Sequence, residues 1–368
     1  ATSDWAPMRQ RIQSAIDDVE KSKYSGDRSR AEEVKLFLDW MKDDHFTFLG
    51  YCKYEFYGEN GRLLRTPDAQ DPLGILKDEE QRQLNHIFKG IGYSQATRRL
   101  ILKPSPLIIN KTTQLSHVHR AVPMDVIGIR CVNDKGDVVG MHMFLGLFTS
   151  VAYDSSSRDI PYLRRKVDKV LESAGLSPIW HDGKILLHVL DSLPRDELFQ
   201  ASITELTEIG MAIVRLQEEQ RVALFMRPVI FKRFISCLVY IPRDNFDSTL
   251  MDKMGTILEK GLKGKVGVVK AQFGDFSFAR IHYTVTVPTG FQNDYDAQAI
   301  EQQLIEIASS WADGLRISLG QNLSEWKSAR LHRLYKNAFP RRYQDLFTSQ
   351  AVVDDIETLE KIYENDVF

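Results

Sequence analysis

Two histidines separated by one residue form the most suggestive chemical pattern in this sequence. In the run Ser116-His117-Val118-His119-Arg120, a strand would place both imidazoles on the same side, where they could share a metal ion. A third ligand would have to come from His45 or His142, which are distant in sequence. We therefore interpret His117 and His119 as polar residues at a strand end and predict no metal site.

No complete catalytic motif occurs in the sequence. No Gly-rich loop with dinucleotide spacing follows a strand, and no Walker-type Gly-Lys-Ser/Thr is present. No Gly-x-Ser-x-Gly elbow ties a serine to a particular histidine and aspartate. The cysteines Cys52, Cys131 and Cys237 each lie in an apolar, strand-like run, which favours buried thiols. We predict no catalytic residue, no cofactor-binding residue and no cofactor in this chain.

Charge and composition argue against two classes of protein. The 368 residues include 48 Lys and Arg against 50 Asp and Glu, so the chain lacks the basic excess of a general nucleic-acid binder. We interpret the basic run Arg164-Arg165-Lys166 as a solvated helix face, with a phosphate-binding patch as the less favoured alternative. The most apolar stretch, Met141 to Tyr153, is too short for a membrane-spanning helix, and no secretory signal opens the chain. We expect a cytoplasmic protein without membrane contact, and an excised fragment of a longer one.

Hydrophobic periodicity predicts an α+β fold for the first part of the chain. Residues 1–30 are predicted to form a helix and a polar linker, and Ser29 to Glu32 match a capping box. The helix that this box opens carries four apolar residues on one face: Val34, Phe37, Leu38 and Met41. From His45 onward, strand-like runs prevail, with one helix from Asp78 to Lys89 and a hairpin turn at Asn133 to Asp137. Residues 31–157 are therefore predicted to form a domain with an antiparallel sheet.

Helices dominate the next segment, and a second mixed domain follows it. Residues 158–228 are predicted to be a helical connector, with one helix ended by Gly175 and another opened by the capping box Ser202 to Glu205. Residues 229–322 show the order βαββα, a ferredoxin-like unit whose final strand is missing or supplied elsewhere. The tail at 323–368 is predicted to be helical.

Several longer strings are too specific to be generic. They are HFTFLGY from His45, SHVHR from Ser116, VPMD from Val122, FLGLFTS from Phe144, IPYLRRKV from Ile160, HDGK from His181, PRDELFQ from Pro194 and RFISCLVY from Arg233. Together they closely resemble the N-terminal half of the large bacterial NAD-specific glutamate dehydrogenases. The resemblance runs over roughly residues 30–368.

This resemblance implies that the chain lies upstream of a catalytic half that binds NAD. It also implies a PAS-like antiparallel-sheet module at 31–157 and an ACT-like βαββα module at 229–322, joined by helical segments. The implied partners are the downstream catalytic region of the same chain and further copies in a homo-oligomer. Four polar residues of the matching strings have no assigned role: His117, His119, Arg120 and Asp125.

Three functions remain open at this point. ACT-type modules typically bind amino-acid effectors near the loop after their first strand, where Arg243, Asp244 and Asn245 could hold a carboxylate and an ammonium group. A capped turn without a ligand is the alternative for this loop. A purely architectural role would use aromatic anchors such as Phe199 and Phe225. An independent hydrolase would use His117, His119 and His142.

Overall fold

A computed structural model of the chain describes most of its residues. The described ranges are 2–21, 28–56, 58–59, 62–63, 68–78, 106–118, 121–219, 221–229, 234–274, 277–288, 291, 294–308, 311–347 and 350–364. Contacts divide the chain into two compact units. The first comprises residues 1–218, 227–236 and 286–293, and the second comprises residues 219–226, 237–285 and 294–368.

The first unit begins with two helices that lead into an antiparallel sheet. These helices are α1 (Trp5–Lys21) and α2 (Arg28–Trp40), and a turn at Met41–His45 connects α2 to the first strand. The strands are β1 (Phe46–Glu55), β2 (Gly58–Glu59), β3 (Arg62–Leu63), β4 (Asp68–Gly74), β5 (Leu107–Leu115), β6 (Pro123–Val132) and β7 (Val138–Phe148). All four apolar residues predicted to share one helix face are fully buried: Val34, Phe37 and Leu38 in α2, and Met41 directly after it.

Five of these strands form one sheet in the order β4-β1-β7-β6-β5, and β2 and β3 form a separate two-stranded sheet. Strand β7 pairs with β1 and with β6, and both pairs are antiparallel, as predicted. The central strands β6 and β7 are buried along nearly their whole length, and α1 packs against β1 and β6. The predicted helix after Asp78 lies outside the described residues.

Five more helices follow the sheet among the described residues of the first unit. They are α3 (Ser150–Asp154), α4 (Leu163–Ala174), α5 (His181–Ser192), α6 (Arg195–Gln200) and α7 (Ile203–Glu219). The sequence-based prediction of α4 is confirmed, because Gly175 ends it with φ +68°. The helix buries one apolar face, formed by Leu163, Val167, Val170 and Leu171. The predicted capping box before α7 is confirmed as well, since the Ser202 backbone N–H donates to the Glu205 carboxylate at 2.7 Å.

A second sheet supplies the mixed domain predicted near the middle of the chain. Its elements are β8 (Ala223–Pro228), β9 (Phe234–Pro242), α8 (Ser248–Leu262), β10 (Lys265–Phe273), β11 (Phe278–Thr286) and α9 (Ala297–Ala308). The strand order is β10-β11-β9-β8. The fourth strand of this sheet is therefore β8, which precedes the βαββα series and lies within the segment predicted to be a helical connector.

The chain continues with four more helices: α10 (Trp311–Asn322), α11 (Glu325–Tyr335), α12 (Arg341–Leu346) and α13 (Ala351–Glu364). Helices α10, α11 and α13 share a buried cluster of seven residues: Leu315, Leu319, Leu331, Tyr335, Val352, Val353 and Ile356. Among the described residues, no helix is both long enough and apolar enough to cross a lipid bilayer.

Candidate functional site

The loop predicted to bind an effector follows β9 and presents two exposed, oppositely charged residues. Arg243 and Asp244 are both exposed, in a short helical turn at Arg243–Asn245. The Arg243 guanidinium lies over the ring of Phe273, 5.6 Å from the ring centre. A stacked guanidinium keeps its donors available at the ring edge, so this pair offers groups for a carboxylate and an ammonium.

The third predicted residue of this loop has a structural contact instead. The side-chain amide of Asn245 donates to the Ala308 carbonyl at 3.1 Å, which connects the loop to the end of α9. Two residues later, the Asp247 carboxylate accepts from the Leu250 backbone N–H at 2.7 Å and caps α8. The loop therefore contains the predicted cap, and it leaves Arg243 and Asp244 accessible.

The histidines considered as metal ligands lie in different environments. His117 is exposed beyond the end of β5, whereas His119 and Arg120 lie outside the residues that the structure describes. His45 stacks on Trp40 with ring centres 4.3 Å apart, and its Nδ1 lies 2.8 Å from the Trp40 carbonyl oxygen. His142 is almost fully buried under α1, in a separate polar cluster.

That cluster joins His142 to Asp18 of α1 and to Tyr51 of β1. His142 Nε2 lies 2.8 Å from Asp18 Oδ2, and its Nδ1 lies 2.8 Å from the Tyr51 hydroxyl. Lys53 Nζ also donates to Asp18 Oδ2, at 3.0 Å, and the Cys131 thiol lies 3.7 Å from the same oxygen. Burial lowers the pKa of His142, so its imidazole is neutral at pH 7.

Among the described residues, one group could hold a metal ion by its geometry: Asp18, Cys131 and His142. Their possible ligand atoms lie within 4.8 Å of one another. Two features oppose a metal ion there. The Lys53 ammonium already contacts the carboxylate oxygen that would bind the metal. Burial also raises the pKa of Cys131 to about 12, which keeps the thiol protonated. We interpret the cluster as a hydrogen-bonded anchor between α1 and the sheet.

Asp125 is a buried structural residue. Its carboxylate lies 2.7 Å from Lys111 Nζ of β5 and accepts from the Phe148 backbone N–H of β7 at 3.2 Å. Lys111 also lies 3.2 Å from Asp196 at the start of α6. Burial raises the pKa of Asp125, and Lys111 opposes that rise. For Lys111, burial lowers the pKa but the two carboxylates outweigh it, so the ammonium stays charged and holds three strands and α6 together.

Sequence reasoning missed a cavity in the first unit. It has a volume of about 500 Å³ and lies beside the edge strand β5, among residues of α2, β6, α4, α6 and the start of α7. Its wall includes five basic residues: Arg30, Arg130, Arg165, Lys166 and Lys169. Arg130 is only 2% exposed and is the largest of the fully buried side chains. The wall also contains two acidic residues, Glu33 and Glu205.

Lys166 is fixed by the end of α6. Its ammonium donates to the carbonyl oxygens of Leu198 at 2.8 Å and Phe199 at 3.0 Å. The interpretation of Arg164-Arg165-Lys166 as a solvated face is therefore wrong for Lys166. Burial and the nearby charge of Arg227 lower the pKa of Lys166 to about 7, so its charge is easily changed near neutral pH.

Both acidic residues of the cavity wall already accept hydrogen bonds. Glu33 accepts from the Arg164 guanidinium, with its closest contact at 2.6 Å, and from the Tyr162 backbone N–H at 2.8 Å. Glu205 accepts from the Ser202 backbone in the capping box. The cavity wall therefore carries an excess of positive charge. A signal was present in the string IPYLRRKV from Ile160, whose Arg165 and Lys166 line this cavity.

Three sequence families match successive parts of the chain. Residues 160–219 match "Glutamate dehydrogenase, helical motif 1", and residues 223–312 match "Glutamate dehydrogenase, ACT2 domain". Residues 318–362 match "Glutamate dehydrogenase, helical motif 2". The ACT2 match begins at residue 223, before the predicted boundary at 229, and so it includes β8.

Similar full-length proteins are named NAD-specific glutamate dehydrogenase. The Halomonas elongata protein is 32% identical over 99% of this chain, and the Pseudomonas aeruginosa protein is 32% identical over 97%. The Mycobacterium tuberculosis protein is 26% identical over 91% of the chain. The chain spans 20–22% of the length of these relatives. Together, the three family matches and these relatives show that the chain belongs to the NAD-specific glutamate dehydrogenase family, as a segment that holds its ACT2 domain and two helical motifs.

Proposed function

We propose that this chain is a non-catalytic regulatory region of a large NAD-dependent glutamate dehydrogenase. The parent reaction would be the oxidative deamination of L-glutamate to 2-oxoglutarate and ammonia, with NAD bound in a downstream catalytic region of the same chain. The observation that carries this proposal is the ACT2 domain at residues 223–312, flanked by two helical motifs of the same family. The sequence contains no motif typical of a dinucleotide-binding loop, which agrees with NAD being bound in another region of the parent chain.

The finer form of the proposal is that the ACT2 domain senses an amino acid. The loop after β9 supports it, because Arg243 and Asp244 are exposed neighbours of opposite charge. An α-carboxylate would pair with the Arg243 guanidinium, and an α-ammonium would pair with the Asp244 carboxylate. Asn245 would only hold the loop in place, through its hydrogen bond to Ala308.

Isothermal titration calorimetry with a panel of the natural amino acids tests the sensing role. At least one amino acid is expected to bind, and Arg243→Gln is expected to weaken its binding about tenfold, since charge-assisted hydrogen bonds are worth about 1.5–3 kcal/mol. Lys253→Gln is the matched control, because Lys253 is exposed on the neighbouring helix α8. No heat and no thermal shift with any amino acid would overturn the sensing role.

We propose a PAS-like architecture for residues 31–157. The strand order supports this assignment. Numbered along the chain within their own sheet, the five strands β1, β4, β5, β6 and β7 lie in the order 2-1-5-4-3, all antiparallel to their neighbours. We further propose that the protein is cytoplasmic and forms a homo-oligomer.

The alternative function is purely architectural, with these modules serving only to build subunit interfaces. Phe199, one of the aromatic residues expected to anchor an interface, does not fit this role. Phe199 is buried and stacks on Phe148 with ring centres 4.9 Å apart, so it is a core residue. Exposed apolar side chains in the C-terminal helices favour this role instead, among them Trp326 at 75% exposure. Sedimentation velocity tests the architectural role. A monomer at all concentrations would contradict an architectural role for the isolated chain.

A further inference from the structure

We infer that the cavity around Lys166 and Arg165 is a binding site for a small organic anion carrying carboxylate or phosphate oxygens. The site lies within the first unit and shares no residue with the loop at Arg243–Asn245. The inference concerns binding alone, so it does not depend on the proposed regulatory function.

Size is the first argument. A volume of about 500 Å³ falls within the range of about 300–1,000 Å³ that is typical of small-molecule sites. One side of the cavity is apolar and rigid, with Leu107 and Ile109 of the edge strand and Phe199 of α6. All three are nearly buried, so these walls are preformed. A metabolite could therefore bury a short carbon skeleton against β5 while its charged end faces the basic side.

Charge is the second argument. Five basic side chains line the cavity against two acidic ones, and both carboxylates already accept hydrogen bonds from the protein. The formal charge of the wall is therefore positive, and the positive charge of a partly enclosed site attracts anions. Anions are the favoured ligand class.

The donor geometry is the third argument. Lys166 is held in place by two backbone carbonyls, which fixes the position of its ammonium group at the wall. Lys169 lies on the same helix, α4, three residues after Lys166 and four after Arg165, and residues at these spacings are neighbours on a helix surface. Pre-positioned donors on a rigid helix bind oxyanions well, because little side-chain entropy is lost on binding.

Binding is tested by calorimetry on the chain of 368 residues with succinate and, separately, inorganic phosphate. Sodium chloride at equal ionic strength serves as the reference, because screening alone weakens nonspecific attraction. Succinate lacks an ammonium group, so it does not meet the demands of the proposed amino-acid site. Saturable binding of succinate identifies a carboxylate site, and saturable binding of phosphate identifies a phosphate site. The inference is overturned if neither succinate nor phosphate saturates the protein at about 10 mM. That result corresponds to a binding free energy weaker than about 3 kcal/mol.

Variants locate the bound anion. Arg165→Gln and Lys166→Met are each expected to weaken binding about tenfold or more, since each removes a charge-assisted donor. Lys184→Gln is the matched control, because Lys184 is exposed on α5 and is not part of the cavity wall. Circular dichroism reports whether each variant is folded. Equal affinity in the wild type and both cavity variants would place the anion elsewhere and overturn the inference.

The pH dependence gives a second readout that does not require a well-folded variant. Bound anion favours the charged form of Lys166, so affinity is expected to fall as pH rises from 6 to 8.5. The largest charge effects on the pKa of Lys166 come from Arg227, Glu205, Arg30 and Glu197. The cavity wall adds Glu33, Arg130, Arg165 and Lys169. Arginine and glutamate ordinarily do not titrate in this range, so the change is assigned to Lys166. A flat affinity profile for succinate would contradict the placement beside Lys166.

Discussion

Replacing Arg227 by methionine is expected to destabilise the first unit strongly. Arg227 of β8 and Glu197 of α6 are 4% and 3% exposed, respectively. The guanidinium donates to both carboxylate oxygens, from Nε at 2.8 Å and from Nη2 at 2.9 Å. Methionine keeps most of the apolar stem but leaves a buried carboxylate without this counter-charge.

The size of the loss follows from burial. Exposed ion pairs contribute about 0–1 kcal/mol, whereas removing one partner of a buried pair costs about 3–5 kcal/mol. Lys166 moderates the loss in this case. Burial and the Arg227 charge lower its pKa to about 7, so without Arg227 the ammonium holds its proton more firmly and offsets part of the Glu197 charge. We therefore expect a loss of about 3 kcal/mol, at the lower end of the range.

Urea unfolding followed by circular dichroism at pH 7 measures this loss. The double variant Glu197→Leu/Arg227→Met removes both charges and is expected to recover most of the stability, because no buried charge is left without a partner. Arg215→Met, at an exposed position of α7, is the control and should change stability by less than about 0.5 kcal/mol. A loss below about 1 kcal/mol for Arg227→Met, or a double variant no more stable than the single one, would refute the reasoning.

Three further predictions concern other parts of the chain. The pKa of Lys166 is about 7 in the folded state and lies below its ordinary value of 10.5, so the unfolded chain binds more protons between these values. Stability relative to Lys166→Met should therefore rise with pH above 7, by up to about 1.4 kcal/mol per pH unit, in urea titrations at several pH values. Gly146→Ala should lower the melting temperature far more than Gly128→Ala. A Cβ at Gly146 would lie 2.1 Å from the Thr47 carbonyl oxygen, whereas at Gly128 it meets the flexible end of Met141. Asp247→Ala should cost about 1 kcal/mol in urea unfolding through loss of the α8 cap, and an unchanged midpoint would contradict that role.

Local features of the fold were predictable from the sequence. The end of α4 at Gly175, the capping box before α7 and the Asp247 cap all depend on residues a few positions apart. The hairpin turn after β6 is another case, because Gly136 has φ +86° and Asn133 accepts the Gly136 backbone N–H. Such signals arise from short-range backbone hydrogen bonding, which a single sequence reveals.

Features formed by distant residues were not predictable. Strand β8 was missed because its six residues are too few to separate strand from helix by periodicity. The start of α2 was also placed too late, since this helix already includes Arg28, before the predicted cap at Ser29. The polar cluster at His142 and the cavity at Lys166 depend on side chains brought together only by the tertiary fold.

We propose that this chain regulates a glutamate dehydrogenase and does not itself catalyse the reaction. The most direct measurement is NADH formation from L-glutamate and NAD by the purified chain, with the full-length Pseudomonas aeruginosa relative as the positive control. We predict turnover by the relative and none by this chain at equal molar concentration. Measurable NADH formation by the chain alone, proportional to its concentration, would contradict the claim.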